Sequence, residues 1–481
     1  MSQVEALARK VGFGFRPDEK VPNDPVQWID DQLQLSRSFQ GISSLSDSGK
    51  VGEWPQKFLM NVEERTDLYF DYWEMYKAVR ADNSLDAGSR RSKVDQWLDD
   101  NVPFRHDETR FYHRAIYARD QVRQRLLHFW INHLYVSGEK HDLMMFADHI
   151  ERAVESGLDG SFEDLLYNST TSPQMLRYLD NQESIGARSK QAESARQKNQ
   201  YVGLNDNLAR ELMELHSVSP AMGYTEDDIH NVARILSGWG IQSSRNDQKK
   251  VKDRAHPYIA DRGEKGTISV FGLKLGSQFG TNEKALKPLI KYLAEHPMTA
   301  KHLSTKLCQH FISDDPPAED IEAVEGVWLS SKGNLPKVHK ELMNRVLASL
   351  EQQKKVLWPI TWYMQSARIS GASVIEGWDD VGKPNTRPFQ SDAFGISREL
   401  GQGFWLLDRQ PNGFSIAGQD WVSPSHLERR IKLAALVGLY GRPLAVPSDI
   451  RGRLGFKAAQ SESGDVRDWV MLLCSSQFME V

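Results

Sequence analysis

Residues 205–239, NDNLARELMELHSVSPAMGYTEDDIHNVARILSGW, contain the pattern that decides the fold class. The pattern predicts two helices, over 205–217 and 226–239, separated by a short segment with proline and glycine. Thr225 stands three residues before Asp228, close to the form of a capping box, so the second helix has a clear start. The apolar stripe of the first helix has helical spacing: Leu208, Leu212 and Leu215.

The same periodicity recurs along most of the chain, whereas strand-like sequence is confined to 266–275, which is rich in β-branched and apolar residues. We therefore predict a mainly α fold: one large multi-helix domain over 1–481 with a small β element. The further predicted helices are 58–80, 108–136, 141–157, 161–168, 172–181, 283–295, 297–312, 317–330, 335–350 and 355–369.

Three polar segments have no apolar period and are interpreted as solvated, mobile insertions: 182–200, 243–265 and 370–392. The basic residues that they contain are expected to be hydrated rather than to contact nucleic acid.

The composition excludes several classes of protein. Lys and Arg number 60 and Asp and Glu 65, a net charge of -5, which argues against a general nucleic-acid binder. No run is long and apolar enough to predict a membrane span. Two cysteines, Cys308 and Cys474, are too few for a disulfide scaffold or a cysteine-based zinc cluster. The first residues do not form a signal peptide, so we expect a cytoplasmic chain, or an exported one whose leader was trimmed.

The first candidate site lies at the end of the predicted helix 108–136, in the run HFWINH from His128 to His133. His128 and Asn132 share a helix face, while His133 points elsewhere, so this helix offers one metal ligand more readily than two. We take His133 as that ligand and Asn132 as a neighbouring binding residue. The alternative interpretation is a hydrogen-bonded histidine within the core.

The second candidate is the polar face of the helix 205–217. Asn207, Glu211 and Glu214 stand at i, i+4 and i+7, and two carboxylates one turn apart repel unless a cation or a shared proton lies between them. A metal held with His216 would explain the pair. A solvated acidic face, answered by an arginine such as Arg210 or Arg234, would explain it equally well.

Seven stretches, which together cover almost the whole chain, are distinctive in sequence: LARKVGFGFRP (7–17), FWINH (129–133), YLDN (178–181), NDNLARELMELH (205–216), GYTEDDIHNVARILSGW (223–239), HPMTAKHLSTKLCQHF (296–311) and QPNGFSIAGQDW (410–421). They resemble the bacterial family known as domain of unknown function 1800. The resemblance implies a bacterial protein, often exported, with a sulfatase-like companion as its partner. Members of the family usually have H-D-x-G-x-K in the loop that here reads ADRGEK, so Asp261 and Lys265 remain as candidates where the histidine is lost.

Two functions from different classes follow. The first is an enzyme with a buried histidine and carboxylate site, assisted by Zn, Fe or Mn in a hydrolytic or oxidative reaction. The second is a non-catalytic helical partner or scaffold protein whose polar motifs fix the packing of its helices. For the enzyme, the expected metal ligands are His133, Glu211, Glu214, His216 and Asp261. The expected catalytic residues are Glu211, Glu214, His216 and Lys265, and the expected binding residues are Asn132, Asn207 and Arg210.

Overall fold

The computed structural model describes the chain except residues 18, 36–58, 118, 138–142, 242–250, 277–280, 372–397, 404–410, 441–445 and 457–465. The described part is mainly α with a small β element, as predicted. The first seven helices are α1 (Gln3–Val11), α2 (Pro25–Gln34), α3 (Val62–Ala81), α4 (Ala87–Asn101), α5 (Phe104–Tyr117), α6 (Gln121–His133) and α7 (Leu143–Asp148).

The middle of the chain carries the helices around the candidate sites. A π-helical turn (His149–Val154) and a 3₁₀ turn (Glu155–Asp159) follow α7 directly. The helices after them are α8 (Phe162–Thr170), α9 (Pro173–Tyr178), α10 (Lys190–Gln197), α11 (Asn207–Glu214) and α12 (Glu226–Leu236).

The predicted β element at 266–275 is confirmed as a hairpin. Strand β1 (Ile268–Val270) pairs antiparallel with β2 (Leu273–Leu275), with Ile268 opposite Leu275. The helices that follow are α13 (Leu286–Glu295), α14 (Pro297–Phe311), α15 (Ala318–Ser331), α16 (Leu335–Ala348), α17 (Pro359–Ser370), α18 (Pro424–Tyr440), α19 (Ser448–Arg453), α20 (Val466–Leu473) and α21 (Ser476–Met479).

Two helices, α6 and α17, form the centre of the molecule, because every one of their residues is buried. Helix α6 packs against α1, α2 and α5, and α17 packs against α5 and α18. Arg125 of α6 donates a hydrogen bond to the Thr361 hydroxyl of α17 (2.6 Å). The polar motif at the end of α6 therefore lies in the interior of the protein. Among the described residues, no helix has the length and apolarity needed to cross a membrane.

The single helix predicted over 108–136 is wrong, because the chain forms two helices there, α5 and α6. Distant side chains satisfy the backbone groups at the break. Arg368 donates to the Ile116 carbonyl (2.6 Å), Gln32 donates to the Arg119 carbonyl (2.9 Å), and the same Gln32 accepts from the Val122 amide (3.3 Å). Since these partners come from α2 and α17, the local sequence carries little sign of the break.

The interpretation of 182–200 as a solvated loop is wrong in part, because the segment contains α10. Ser189 caps this helix by accepting a hydrogen bond from the Ala192 amide (3.1 Å), and Ala192 and Ala195 are its buried residues. Two alanines give too little apolar periodicity to predict a helix. In the second polar segment, 251–265 packs onto the body through the buried Glu264, while 243–250 lies outside the described residues. In the third, the described part ends at residue 371.

Candidate active site

The centre of the site is His133, the last residue of α6, which is 2 % exposed. Its Nε2 donates a hydrogen bond to the His216 carbonyl (3.2 Å), and its Nδ1 accepts one from Lys306 Nζ (3.0 Å). These partners assign the neutral tautomer with the proton on Nε2, because a carbonyl oxygen can only accept and an ammonium can only donate. Burial, followed by the Lys306 charge, holds the pKa of His133 well below its usual range.

Lys306 is half-buried on α14 and makes its hydrogen bond to an imidazole rather than to a carboxylate. Within the described part of the chain, no Asp or Glu oxygen lies within 4 Å of its ammonium. Burial lowers the pKa of Lys306 to about 8. A lysine in this state loses its proton close to physiological pH, whereas an exposed lysine does not.

Two further imidazoles complete the centre. The His133 ring centroid lies 6.3 Å from that of His216 and 6.3 Å from that of His302. Burial and the Lys306 charge lower the pKa of His216 to about 3 and that of His302 to about 4. Both rings are therefore neutral at physiological pH. Among the described residues, neither ring nitrogen of His216 has a hydrogen-bond partner, and neither does Nε2 of His302.

These side chains converge on the carboxyl end of α11. His133 donates to the carbonyl of His216, two residues past the end of the helix, so one imidazole satisfies a carbonyl at this end. The Lys306 ammonium lies at the same end, where the partial negative charge of a helix favours a cation.

The two glutamates of α11 are half-buried and differ in their partners. Glu214 lies 3.4 Å from Arg210, whose guanidinium also contacts Glu226 (2.9 Å) and Asp206 (3.2 Å). Glu211 has no ion pair within the part of the chain that the structure describes. Burial, followed by the Glu214 charge, raises the pKa of Glu211, so its carboxyl group keeps its proton to a higher pH than an ordinary glutamate does.

Of the two arginines expected to answer the acidic face, Arg210 does so and Arg234 does not. Arg234 lies 3.3 Å from Glu264 and donates to Asn231 (2.8 Å). The structure therefore explains Glu214 by an arginine on the same helix.

Asn132 and Asn207, predicted as binding residues, have other positions. The buried Asn132 amide donates to the Phe414 carbonyl (2.9 Å) and accepts from the Phe414 amide (2.8 Å), and so holds the turn at 411–414 on the helical body. Asn207 is exposed at the first position of α11. Asn132 therefore has a packing role that its position beside His133 did not reveal.

Asp261 and Lys265 make their polar contacts with α10 rather than with the histidines. Asp261 lies 3.4 Å from Lys190, with both side chains largely exposed, and Lys265 lies 4.0 Å from Glu193. Of the five predicted metal ligands, the structure thus brings His133 and His216 into contact, and places Glu211 and Glu214 on the adjoining helix. Over the described ranges, no group of three or more His, Cys, Asp or Glu side chains is arranged to hold a metal ion.

Sequence reasoning missed His302 and Lys306. Both stand in the run HPMTAKHLSTKLCQHF, which carries part of the family resemblance, and they are i and i+4 on one face of α14. A histidine and a lysine one turn apart within this matching run were the available signal.

Comparison with known proteins gives one match. The family described as "Protein of unknown function (DUF1800)" matches residues 6–479. No curated protein and no solved structure matches the chain.

Proposed function

We propose that this chain, which belongs to the family of proteins of unknown function DUF1800, is an enzyme in which Lys306, positioned by His133, transfers protons. The observation that carries the proposal is the 3.0 Å contact between Lys306 Nζ and His133 Nδ1. A cation buried for structural reasons is normally paired with a carboxylate, because an unpaired charge costs several kcal/mol. Lys306 has a neutral imidazole in that place.

The pair suits acid–base catalysis because a group with a pKa near ambient pH can both take and give a proton. Lys306, with its pKa of about 8, is such a group. The His216 carbonyl holds the His133 proton on Nε2, so Nδ1 accepts the hydrogen bond that positions the Lys306 amine.

The proposal uses no metal, because both ring nitrogens of His133 are already hydrogen-bonded. Zn, Fe or Mn with imidazole and carboxylate ligands stays a prediction. It requires His133 to give up one of these two contacts.

One observation favours the scaffold function instead. His133 donates to the His216 carbonyl just past the end of α11, a contact that would also serve only to fix the packing of α6 on α11. In that case the polar centre stabilises the protein and catalyses nothing. The partner of such a scaffold would be the sulfatase-like companion that the family resemblance implies, and co-expression followed by gel filtration tests that pairing.

Turnover and stability measured on the same variants separate the two functions. The purified protein is screened against acyl, phosphoryl and carbonyl substrates, and any activity is measured again in His133→Phe and Lys306→Met. For an enzyme we expect turnover to fall by about 10²-fold or more, the usual effect of removing an acid–base group, with a melting temperature no lower than that of wild type. The matched control is Lys301→Met, an exposed lysine of the same helix, which should keep full activity.

For a scaffold the melting temperature falls in the His133 and Lys306 variants. Turnover that is equal in wild type and both variants would overturn the enzymatic proposal.

A further inference from the structure

We infer that the pocket between α1 and α21 binds a small monocarboxylate with a short apolar chain. The pocket has a volume of about 320 Å³ and is partly open to solvent. Sites for small molecules usually have about 300–1,000 Å³, so this one has room for such a ligand. The residues that line it are Met1, Ala6, Arg9, Leu350, Lys354, Ser476, Gln477, Glu480 and Val481. None of them belongs to the centre around His133, so the inference goes beyond the proposed function and does not depend on it.

Arg9 is the lining residue that indicates an anion, because it is a buried cation without a carboxylate partner. Its side chain belongs to a residue that is 1 % exposed, and within the described residues no Asp or Glu oxygen lies within 4 Å of its guanidinium. Glu5, one turn earlier on α1, lies 3.3 Å from Arg453 instead. Buried charges are normally paired, since an unpaired one is strongly destabilising.

The N–H groups of Arg9 also outnumber their acceptors. Nη2 donates to the carbonyls of Phe478 (2.7 Å) and Gln477 (3.3 Å) in α21. Nη1 has the Met1 sulfur at 3.6 Å, and a thioether is a weak acceptor. Nε has no acceptor among the described residues. A carboxylate that takes the place of the Met1 sulfur gives Nη1 a charged acceptor, and such hydrogen bonds are about twice as strong as neutral ones.

The charges around the pocket favour one added negative charge. Lys354 lines the pocket together with Arg9 and is exposed. Lys10, the neighbour of Arg9 on α1, is buried, and its pKa is lowered to about 7 by burial and then by the charges of Lys354 and Lys355. Glu480 contributes a carboxylate to the lining. Two cations and one carboxylate therefore favour a monoanion, whereas Glu480 opposes the second charge of a phosphate.

The rest of the wall is apolar and selects the remainder of the ligand. Ala6, Leu350 and Val481 form it, and Leu350 and Val481 are buried. An aliphatic chain that covers this wall adds affinity in proportion to the apolar area that it removes from water. An inorganic ion such as chloride leaves the wall uncovered. The pocket thus matches a carboxylate that carries a short hydrocarbon chain.

A purely structural role for Arg9 makes a different prediction. The contacts from Nη2 to Phe478 and Gln477 tie α1 to α21 without any ligand. If this tie were the whole role of Arg9, a carboxylate would bind no better than its neutral analogue. The two roles are therefore separated by comparing ligands that differ in charge alone.

Calorimetric titration tests the inference. The full chain at about pH 7 and constant ionic strength is titrated with sodium hexanoate and, separately, with hexan-1-ol, sodium acetate and sodium phosphate. We expect hexanoate to bind with a millimolar or lower Kd. The other three should bind about tenfold or more weakly, because the alcohol lacks the charge, while acetate and phosphate lack the chain.

The same titration is repeated on variants of the pocket. Ala6→Leu fills part of the pocket without changing Arg9, and it should weaken hexanoate binding about tenfold or more. Ala78→Leu, at an exposed position of α3, is the matched control and should bind as wild type does. Arg9→Met should remove the preference for hexanoate over hexan-1-ol. If Arg9→Met does not fold, as judged by circular dichroism, Ala6→Leu and the ligand series decide.

The inference is overturned if hexanoate gives no heat of binding, or if hexan-1-ol or acetate binds as tightly as hexanoate. Unchanged hexanoate binding in Ala6→Leu would overturn it as well. Each of these results leaves the function proposed for Lys306 untouched, because turnover in the His133 and Lys306 variants is measured separately.

Discussion

At the scale of single residues, Lys306 and Glu211 both lack, among the described residues, the oppositely charged partner that is usual for a partly buried charge. Lys306 contacts an imidazole where a carboxylate is usual, and Glu211 has no ion pair among the described residues. Burial moves their pKa values toward each other, down for the lysine and up for the glutamate. Titratable groups that are shifted by burial are more frequent at functional sites than elsewhere.

The first prediction concerns the pH dependence of Lys306. Its folded pKa of about 8 lies below the unfolded value of 10.5, so the unfolded chain binds more protons between these two values. The contribution of Lys306 to the free energy of unfolding therefore rises with pH between about pH 8 and 10.5, and it is lowest below about pH 8. We expect Lys306→Met to be most stabilising, relative to wild type, below about pH 8, and the difference to shrink toward about pH 10. Thermal melts across this range measure it, and a loss of stability at all pH values would contradict it.

The second prediction concerns Glu211→Gln. The folded pKa of Glu211 is raised, so its contribution to stability falls as pH rises from the ordinary value of 4.5 through the raised one. The variant should therefore melt slightly higher than wild type at neutral pH, by about 1 °C, and match it in acid. The same sample is analysed for Zn, Fe and Mn after purification without a metal-affinity tag, and we expect the variant's metal content to equal that of wild type.

The matched variant is Glu214→Gln, which loses the Arg210 contact and should be neutral or slightly destabilising. If Glu211→Gln instead lowers bound metal and turnover together, Glu211 is a metal ligand. A fall in stability of about 3–5 kcal/mol would show a stranded buried cation.

At the scale of elements, the contacts that hold loops and helix ends come from far along the chain. The turn that begins at Pro411 is held to α6 by Asn132, and the first turn of α6 is held by Gln32 of α2. Gly413 adopts a left-handed conformation (φ 69°) next to the Asn132 carbonyl, where a side chain would clash. Pro-Asn-Gly is a local turn-forming sequence, whereas the side chain that anchors the turn comes from a distant helix.

The third prediction is that Asn132→Ala releases this turn. Removing the amide leaves the buried Phe414 N–H and carbonyl without partners, so we expect a loss of about 2–4 kcal/mol of unfolding free energy. Limited proteolysis should then cut within 411–417 sooner than in wild type. Asn207→Ala, at an exposed position, is the control and should stay within about 0.5 kcal/mol of wild type. Unchanged proteolysis in Asn132→Ala would contradict the anchoring role.

At the scale of the whole molecule, two hydrophobic clusters are joined by buried ion pairs. The larger cluster runs through the described chain from Val4 to Val481, and the smaller one, around Tyr69 and Tyr72, belongs mainly to α3 and α4. Arg65 of α3 donates two hydrogen bonds of 2.9 Å to Asp107 of α5, and Arg110 donates a third of 2.9 Å to the same carboxylate. This carboxylate links the α3–α4 hairpin to the central helices.

The fourth prediction is that Asp107→Asn destabilises the protein strongly. Two buried guanidinium groups lose their shared anion, and breaking a buried pair in this way costs about 3–5 kcal/mol. Urea denaturation measures the loss. Asp95→Asn, which removes an exposed partner of Arg91, should cost less than about 1 kcal/mol. Equal effects of the two substitutions would show that the buried link carries no stability.

The sequence by itself determined the fold class and most of the helices, because apolar spacing, capping residues and turn residues act within a few positions of one another. The Thr225 capping box, the hairpin at 268–275 and the turn that begins at Pro411 are examples of such local patterns. It also identified two of the four side chains of the candidate centre, His133 and His216, because they stand out as polar residues beside apolar stripes.

The tertiary structure alone decided which groups meet. His133 contacts Lys306, 173 positions along the chain, and Asn132 contacts Phe414, 282 positions along. The break between α5 and α6 likewise depends on Gln32 and Arg368. Helical periodicity places residues relative to their own helix axis only. Which helices pack together, and which buried charges are left without a partner, is set by the packing of the whole chain.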